Sequence, residues 1–310
     1  MSGLAHKLIY LYYCPQMSAL AELIAATCSS IVLGEIQWAD FEDGFPNLVI
    51  KEVEICRNKD IIFLASFDTS GEIFKQLSVI YEFPRIGIRS FKVVMPFYPT
   101  GTMERVEEEG EIATAAALAR MLSAIPHSMS GPTQIIIYDI HALQERFYFS
   151  DSVIPRLETA IPILKDRIKC IRDLAIVFPD EGAWKRFGTM FDEYPLIICH
   201  KIRKGEKRVV KIKEGDPSGK HAVIVDDLVM SGGTLQECKK ALFESGASEV
   251  SAYVTHGVFP QASWKKFVDA GFSHVWITDS CPQTAKAVAG KAPFEVLSLS
   301  QMISNVLSQD

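Results

Sequence analysis

The sequence predicts an α/β protein built from two similar doubly wound domains, each around a central parallel sheet. Three observations carry this. Short runs dominated by apolar residues, LIYLYY at 8–13, IIFLASF at 61–67 and AVIV at 222–225, have the make-up of strands buried on both faces. Segments with apolar residues at helical spacing separate them, so strand and helix alternate as crossover connections in a parallel sheet require. The alternation then starts afresh near residue 150. The expected division is residues 1–150, completed by a C-terminal helix at 300–310, and residues 151–299.

The 310 residues, 48% hydrophobic, suffice for two ordinary cores. Acidic and basic side chains are interspersed around a net charge of −6, which excludes a uniformly basic surface for nucleic acid. Seven cysteines, at 14, 28, 56, 170, 199, 238 and 281, form no C-x-x-C pair. That argues against a zinc module or a disulfide framework and fits reduced thiols in a cytosol. No stretch reaches the ~18 uninterrupted apolar residues of a membrane span, and the opening MSGLAHKLIYLYYCP is too short in apolar residues for a cleavable signal. A cytoplasmic protein without nucleic-acid or membrane partners is the expectation.

In chain order, the strand at 8–13 is broken by Cys14-Pro15 before an Ala- and Leu-rich helix at Ser18–Thr27. Strands at 31–37 and 48–55 flank FEDGFPN, where Asp43-Gly44 and Pro46-Asn47 supply hairpin-turn chemistry. A strand at 61–67, a helix at 73–81 stopped by FPRIG, and a strand at 93–97 follow. The loop YPTGTMERVEEEGE then feeds an Ala-rich helix predicted from about Glu107 to Leu122, with Glu107, Glu108 and Glu109 complementing the dipole in its first turn. Beyond the loop at Ser128–Thr133, the strand Ile135–Tyr138 ends at Asp139-Ile140-His141. A histidine just past a strand's carboxyl end sits where open α/β sheets bind ligands. Pro155 and Pro162 punctuate the connection to a strand at Leu174–Phe178, which leads directly to Asp180, Glu181 and Gly182, with Trp184 and Phe187 as helix core. After the strand at 196–199, seven Lys and Arg lie between 201 and 213 in a chain acidic elsewhere. Most belong to a solvated β-hairpin. Lys201 and Arg203 leave the strand's carboxyl end, where cations can neutralise the oxygens of a transferring phosphoryl group.

The stretch HAVIVDDLVMSGGTL at 221–235 is the centre of the reading. An apolar strand at Ala222–Val225 meets two acids, and a Ser-Gly-Gly-Thr turn leads into a helix at Leu235–Ser245. Gly232 and Gly233 let the backbone approach a ligand, Ser231 and Thr234 add hydroxyls, and the helix start offers free N–H groups and positive dipole charge, so a phosphate is the expected guest. Asp226 and Asp227 repel a phosphate themselves and suit sugar hydroxyls or a divalent cation beside it. Together they describe a sugar phosphate site.

This segment resembles the ribose-5-phosphate loop shared by type I phosphoribosyltransferases and phosphoribosyl pyrophosphate (PRPP) synthetases. Nearly the whole chain is similar to the synthetases, particularly the class II enzymes best known from plants. The resemblance implies two type I phosphoribosyltransferase-like domains. It also implies a ribose-phosphate diphosphokinase that makes PRPP and AMP from ribose 5-phosphate and ATP with Mg2+. It assigns Ser231, Gly232, Gly233 and Thr234 to the 5-phosphate and Asp226 and Asp227 to the ribose hydroxyls. DIHALQ matches the family's D-L-H-A-x-Q segment, which makes His141 a contact of magnesium or ATP, supported by Asp139. FPDEGA matches P-D-x-G-[GA] and makes Asp180 a shaper of the sugar and pyrophosphate side and a further metal candidate. Lys201-Ile202-Arg203 matches the K-x-R pair of the catalytic loop. Phe41 and Asp43 match an F-x-D-G hairpin that receives adenine in a neighbour's site, implying a homo-oligomer; a ring to stack on and a carboxylate to accept from the exocyclic amine suit that base.

Three departures stand out. Phe45 follows the hairpin glycine where the family usually has Glu, and Met230 stands where many members have Asp. The ATP loop offers only Arg105, with Thr100 and Thr102, in place of the Arg and Lys of class I enzymes. Two other readings stay open. A type I phosphoribosyltransferase shares the 226–234 loop but leaves FEDGF and DIHALQ unexplained. A non-catalytic regulatory homologue should have lost the K-x-R pair, which this chain keeps. Neither G-x-x-x-x-G-K-[ST] nor G-x-G-x-x-G occurs, so a Walker-type or dinucleotide site lacks its fingerprint.

Overall fold

A computed structural model describes residues 8–204 and 207–308, without the side chains of residues 202–208. The chain divides into two compact units, one running to Thr159 and taking up the chain again from Leu299, the other Ala160–Ser298. The division falls nine residues later than the sequence pattern suggests, because Val153–Glu158 is the sixth strand of the first sheet. Pro155, read from sequence as punctuation, lies inside that strand. An edge strand tolerates a proline because the missing N–H faces away from the ladder.

In the first unit the elements are β1 (Ile9–Tyr13), α1 (Ser18–Thr27), β2 (Ile31–Leu33), β3 (Ile36–Asp40), β4 (Pro46–Ile50), β5 (Asp60–Leu64), α2 (Ser70–Arg85), β6 (Ser90–Met95), α3 (Thr114–Ser123), β7 (Thr133–Tyr138) and β8 (Val153–Glu158). Strands in the order β2-β1-β5-β6-β7-β8 make a wholly parallel sheet. β5 is buried along its whole length, its apolar residues Ile61–Leu64 preceded by Asp60, whose carboxylate takes the Arg89 guanidinium at 2.6 and 2.8 Å. Under the sheet Tyr12, Phe83 and Phe91 pack ring to ring, with centroids 4.8 Å apart for Tyr12 and Phe83 and 5.5 Å for Phe83 and Phe91.

The expected strand at 31–37 is two strands. β2 joins the main sheet, the chain turns at Gly34-Glu35, and β3 pairs only with β4 in a separate two-stranded hairpin. A Cβ on Gly34 would lie 2.3 Å from the Tyr12 ring, so the turn passes directly over a core aromatic. The expected strand at 48–55 likewise ends at Ile50, and Val53–Cys56 forms a 3₁₀ turn. The helix expected from Glu107 begins only at Thr114. The backbone at Gly110 is left-handed, and the Glu111 carboxylate accepts from the N–H groups of Glu107 and Glu108 at 2.8 and 3.3 Å, so the acids close a local turn instead of opening a helix. The C-terminal helix Ser300–Ser308 packs on α1, where Thr27 and Ser304 hydroxyls meet at 2.7 Å.

The second unit comprises α4 (Ile161–Ile168), β9 (Leu174–Phe178), α5 (Glu181–Phe187), β10 (Leu196–Lys204), β11 (Lys207–Glu214), β12 (His221–Val229), α6 (Gly233–Glu244), β13 (Glu249–Gly257), β14 (Val275–Thr278), α7 (Pro282–Val288) and β15 (Phe294–Leu297). Its sheet runs β11-β10-β9-β12-β13-β14-β15, parallel except for β11, which returns antiparallel beside β10. Alternate residues of β12 serve two cores. Ala222 and Ile224 face Leu235, Cys238 and Leu242 of α6, whereas Val223 and Val225 face Leu164 of α4 and Ala183 and Phe187 of α5. Chain order reverses direction between β9 and β12, which is where a doubly wound sheet opens its ligand crevice.

Candidate functional site

At that switch point acids converge from two neighbouring strands. β12 stays paired with β13 through Asp226↔Val254, Leu228↔His256 and Val229↔Gly257, but its pairing with β9 ends at Ile224↔Val177. The strand therefore continues past the two acids, four residues beyond the expected end at Val225, while its β9 side opens. Asp180, two residues past β9, stands on that side. Its carboxylate caps α5 by accepting the Ala183 N–H at 3.0 Å and takes the Lys201 ammonium at 2.8 Å. Burial pushes the Asp180 carboxyl up, but Lys201 and the backbone N–H groups outweigh it and hold it below the usual carboxylate range. Next to it, Lys213 of β11 pairs with Glu181 at 2.5 Å, so the base of the basic hairpin is tied twice to the start of α5.

Asp226 and Asp227 have different surroundings despite being adjacent. Asp227 is buried, and Arg186 of α5 approaches its carboxylate at 3.5 Å. Asp226 accepts the Asp227 N–H at 3.0 Å. Burial, then the neighbouring Asp227 carboxylate, then Asp180 push the Asp226 carboxyl well above its usual range. On the α6 side the Cys199 and Cys238 sulfurs touch at 3.7 Å, both buried and both free thiols.

The turn that follows is pinned from outside. The Val229 carbonyl accepts from the N–H groups of Val258 and Phe259, and the Ser263 hydroxyl donates to the Met230 carbonyl at 3.1 Å. Gly232 is left-handed, with φ +81°, and a Cβ there would lie 2.3 Å from the Phe267 ring. Ser231 and Gly233 are exposed, and α6 begins at Gly233 with no acid in its first turn. The result is a strand-to-helix turn, exposed at Ser231 and Gly233, whose first N–H groups lie beyond the helix ladder, an arrangement that can receive an anion.

In the first unit, Asp139 follows β7 in a left-handed conformation, φ +37°, and its N–H donates to the Glu158 carbonyl at 2.9 Å. Asp139 is buried and His141, two residues on, is exposed. A Cβ on Gly101 would come within 3.3 Å of the His141 Cβ, so the Thr100–Met103 turn lies against the histidine. Arg105 projects from the same loop, 72% exposed, and pairs with Glu107 at 3.0 Å. At the hairpin tip the Asp43 carboxylate accepts the Phe45 N–H at 3.1 Å, and Phe41 and Phe45 are 55% and 65% exposed.

The structure thus groups Asp180, Lys201, Asp226 and Asp227 about one crevice in the second unit, with Ser231–Thr234 following β12. Asp139, His141 and Arg105 belong to the first unit, as do Phe41 and Asp43. The Arg203 side chain lies outside the described residues. Among the described residues no group of three or more His, Cys, Asp or Glu is placed to hold a metal ion. Arg186 escaped the sequence reading: 41 positions separate it from Asp227, and nothing local marks it.

Comparison with known proteins places the family and the fold. Residues 9–125 match the N-terminal domain of ribose phosphate pyrophosphokinase, and residues 194–309 match a phosphoribosyl synthetase-associated domain. Ribose-phosphate pyrophosphokinase 4 of Arabidopsis thaliana is 52% identical over 99% of this chain and 94% of its own length. The protein of the same name from Oryza sativa subsp. japonica is 53% identical, over 98% of this chain and 96% of its own. Ribose-phosphate pyrophosphokinase 3, mitochondrial, of Spinacia oleracea is 53% identical over 97% of this chain and 77% of its own. The fold is shared with the crystal structure of phosphoribosylpyrophosphate synthetase from Mycobacterium smegmatis, at a TM-score of 0.81 and 22% identity over 97% of this chain and 98% of that one. The chain belongs to the ribose-phosphate pyrophosphokinase family, and within it to the plant-type branch.

Proposed function

We propose that the chain transfers the β,γ-diphosphoryl group of ATP to the C1 hydroxyl of ribose 5-phosphate, giving PRPP and AMP. The C1 oxygen attacks the β-phosphorus, and the bond from that phosphorus to the α–β bridging oxygen breaks. The bridging oxygen and the bond electrons leave with AMP, and the hydroxyl proton goes to solvent. The single observation that carries this reading is the juxtaposition of the Ser231–Thr234 turn with Asp226 and Asp227 at a switch point, in a chain 52% identical over nearly its full length to a ribose-phosphate pyrophosphokinase. Ser231, Gly232, Gly233 and Thr234 hold the 5-phosphate at the start of α6, and the two aspartates take the ribose hydroxyls.

Lys201 and Arg203 stabilise the charge that develops on the transferring group, with Lys201 leaving Asp180 to do so. In the first unit, His141 with Asp139 and Arg105 meets the ATP phosphates. Phe41 and Asp43 hold adenine, supplied by a neighbouring copy in a homo-oligomer. Little beyond positioning and charge is needed for such a transfer.

Mg2+ completes the reading. Magnesium takes one or two carboxylates and fills its remaining positions with water and substrate phosphate oxygens. The paired hard oxygens of Asp226 and Asp227, with Asp180 close enough to raise the Asp226 pKa, fit that habit, as do Asp139 and His141 on the nucleotide side. Bound there, the ion would neutralise phosphate charge. No described helix is long and apolar enough to cross a membrane, and all seven cysteines are free thiols. We place the protein in the cytoplasm on the thiol chemistry, although relatives carry mitochondrial and chloroplastic names.

The test is to incubate the purified protein with Mg2+, ATP and ribose 5-phosphate and resolve the nucleotides and PRPP by chromatography. Equal amounts of AMP and PRPP are expected. ADP as the sole nucleotide product would mean attack at the other phosphorus and would sink the assignment.

A further inference from the structure

Arg186 lies one helical turn and a half beyond the Asp180 cap, on the face of α5 that packs under β12. Its side chain is 12% exposed, and its guanidinium carbon sits 4.9 Å from the Phe187 ring centroid. An aromatic face under a guanidinium restricts its orientation. Arg186 reaches Asp227, whose side chain is 8% exposed, at 3.5 Å. Lys201 pairs with Asp180 instead. Asp226 meanwhile accepts the Asp227 backbone N–H.

Asp227 is buried and Asp226 beside it is partly buried. Like charges repel, and a buried carboxylate without a cation is costly to hold in place. A permanently charged guanidinium fixed behind Asp227 holds its side chain there. We propose that Arg186 is the positioning residue of the sugar-binding pair: from inside α5 it anchors the Asp227 carboxylate, and so sets the orientation in which Asp227 meets the hydroxyls of ribose 5-phosphate. Arg186 touches no substrate itself. Because Asp180 caps α5, the same helix links Asp180 to the acids of β12. The inference rests on the ribose-binding reading of the 226–234 segment.

The test uses the full chain with Mg2+ and compares Michaelis constants for both substrates in Arg186→Met and Arg186→Lys. Arg186→Met keeps the apolar stem and removes the charge. It is expected to raise the KM for ribose 5-phosphate by about tenfold or more, the size typical of lost outer-sphere support, and to leave the KM for ATP within about twofold. Arg186→Lys restores a cation and should recover most of the loss. A ribose 5-phosphate KM unchanged in Arg186→Met, a parallel rise in both constants, or no recovery with Lys overturns the proposal.

Should Arg186→Met fail to fold, Arg186→Met on an Asp227→Asn background carries the test, since the amide no longer needs a cation. A KM for ribose 5-phosphate no worse than that of Asp227→Asn alone supports the coupling; an additive loss overturns it. Wild-type protein that makes no PRPP yet binds ribose 5-phosphate would sink the reaction assigned above. The positioning role would then be judged on the dissociation constants of the same variants, by the same criteria.

Discussion

Asp226 and Asp180 show how neighbouring carboxylates of one crevice acquire opposite tendencies. Asp180 has a cation and two backbone donors, and its pKa falls; Asp226 has a carboxylate for a neighbour, and its pKa rises. The stability consequences follow by linkage. A raised carboxyl means that the folded state holds a proton the unfolded state has released, so stability declines as pH climbs above the ordinary value of 3.8 toward the raised one. Asp180 contributes in the opposite sense, and its share is lost as pH falls through its depressed value. Asp226→Asn should therefore melt higher than wild type at neutral pH, by a few degrees at roughly 2–4 °C per kcal/mol. That advantage should shrink toward pH 4 as Asp226 regains its proton. Scanning fluorimetry without substrate checks this, and a lower melting temperature for the variant at pH 7 would refute it. The acids, the histidine and the Lys201 ammonium were legible in the sequence because each follows an apolar run, although Lys201, Asp226 and Asp227 lie inside β10 and β12, which continue past the expected ends. Arg186 was not, since only the packing of α5 under β12 brings it to Asp227.

At the scale of elements, the turn between β12 and α6 has a tightly constrained backbone. Gly232 has φ +81°, and a Cβ would meet the Phe267 ring at 2.3 Å, whereas a Cβ on Gly233 would find only Ser231 Oγ at 3.9 Å. The two adjacent glycines thus make a matched pair. Gly232→Ala is expected to cost about 1–3 kcal/mol from backbone strain and overpacking and to weaken ribose 5-phosphate binding in calorimetry. Gly233→Ala should fold normally, and any loss of affinity there reports close approach of the phosphate. Equal stability of the two variants would contradict the geometry. The other misread elements share one cause. At 107–111 a run of acids ahead of an Ala-rich segment looks like a helix start, but left-handed Gly110 and the Glu111 carboxylate bind the backbone into a turn. The segment 31–37 reads as one strand, and the turn at Gly34-Glu35 above Tyr12 splits it between two sheets.

For the whole molecule, the β3–β4 hairpin pairs with no strand of the main sheet and ends in exposed Phe41 and Phe45. A two-stranded hairpin is marginal by itself, and large exposed aromatics at a tip suit contact with a partner surface or ligand. We expect a mass above that of one chain in light scattering coupled to size exclusion. We also expect Phe41→Ala to raise the KM for ATP by roughly tenfold, the scale of a lost stacking anchor. A monomer with unaltered ATP kinetics in that variant would exclude an adenine site built by the hairpin of a neighbour. The sequence by itself determined the α/β alternation, the two-part organisation and the order of the ligand segments, because buried strands must be apolar throughout and turns need particular residues. Only the tertiary structure decided that Val153–Glu158 closes the first sheet, that β12 runs on through both aspartates, and that Arg186 stands behind one of them. Strand pairing and helix packing join residues distant in the chain, and local residue preferences contain no term for a partner forty positions away.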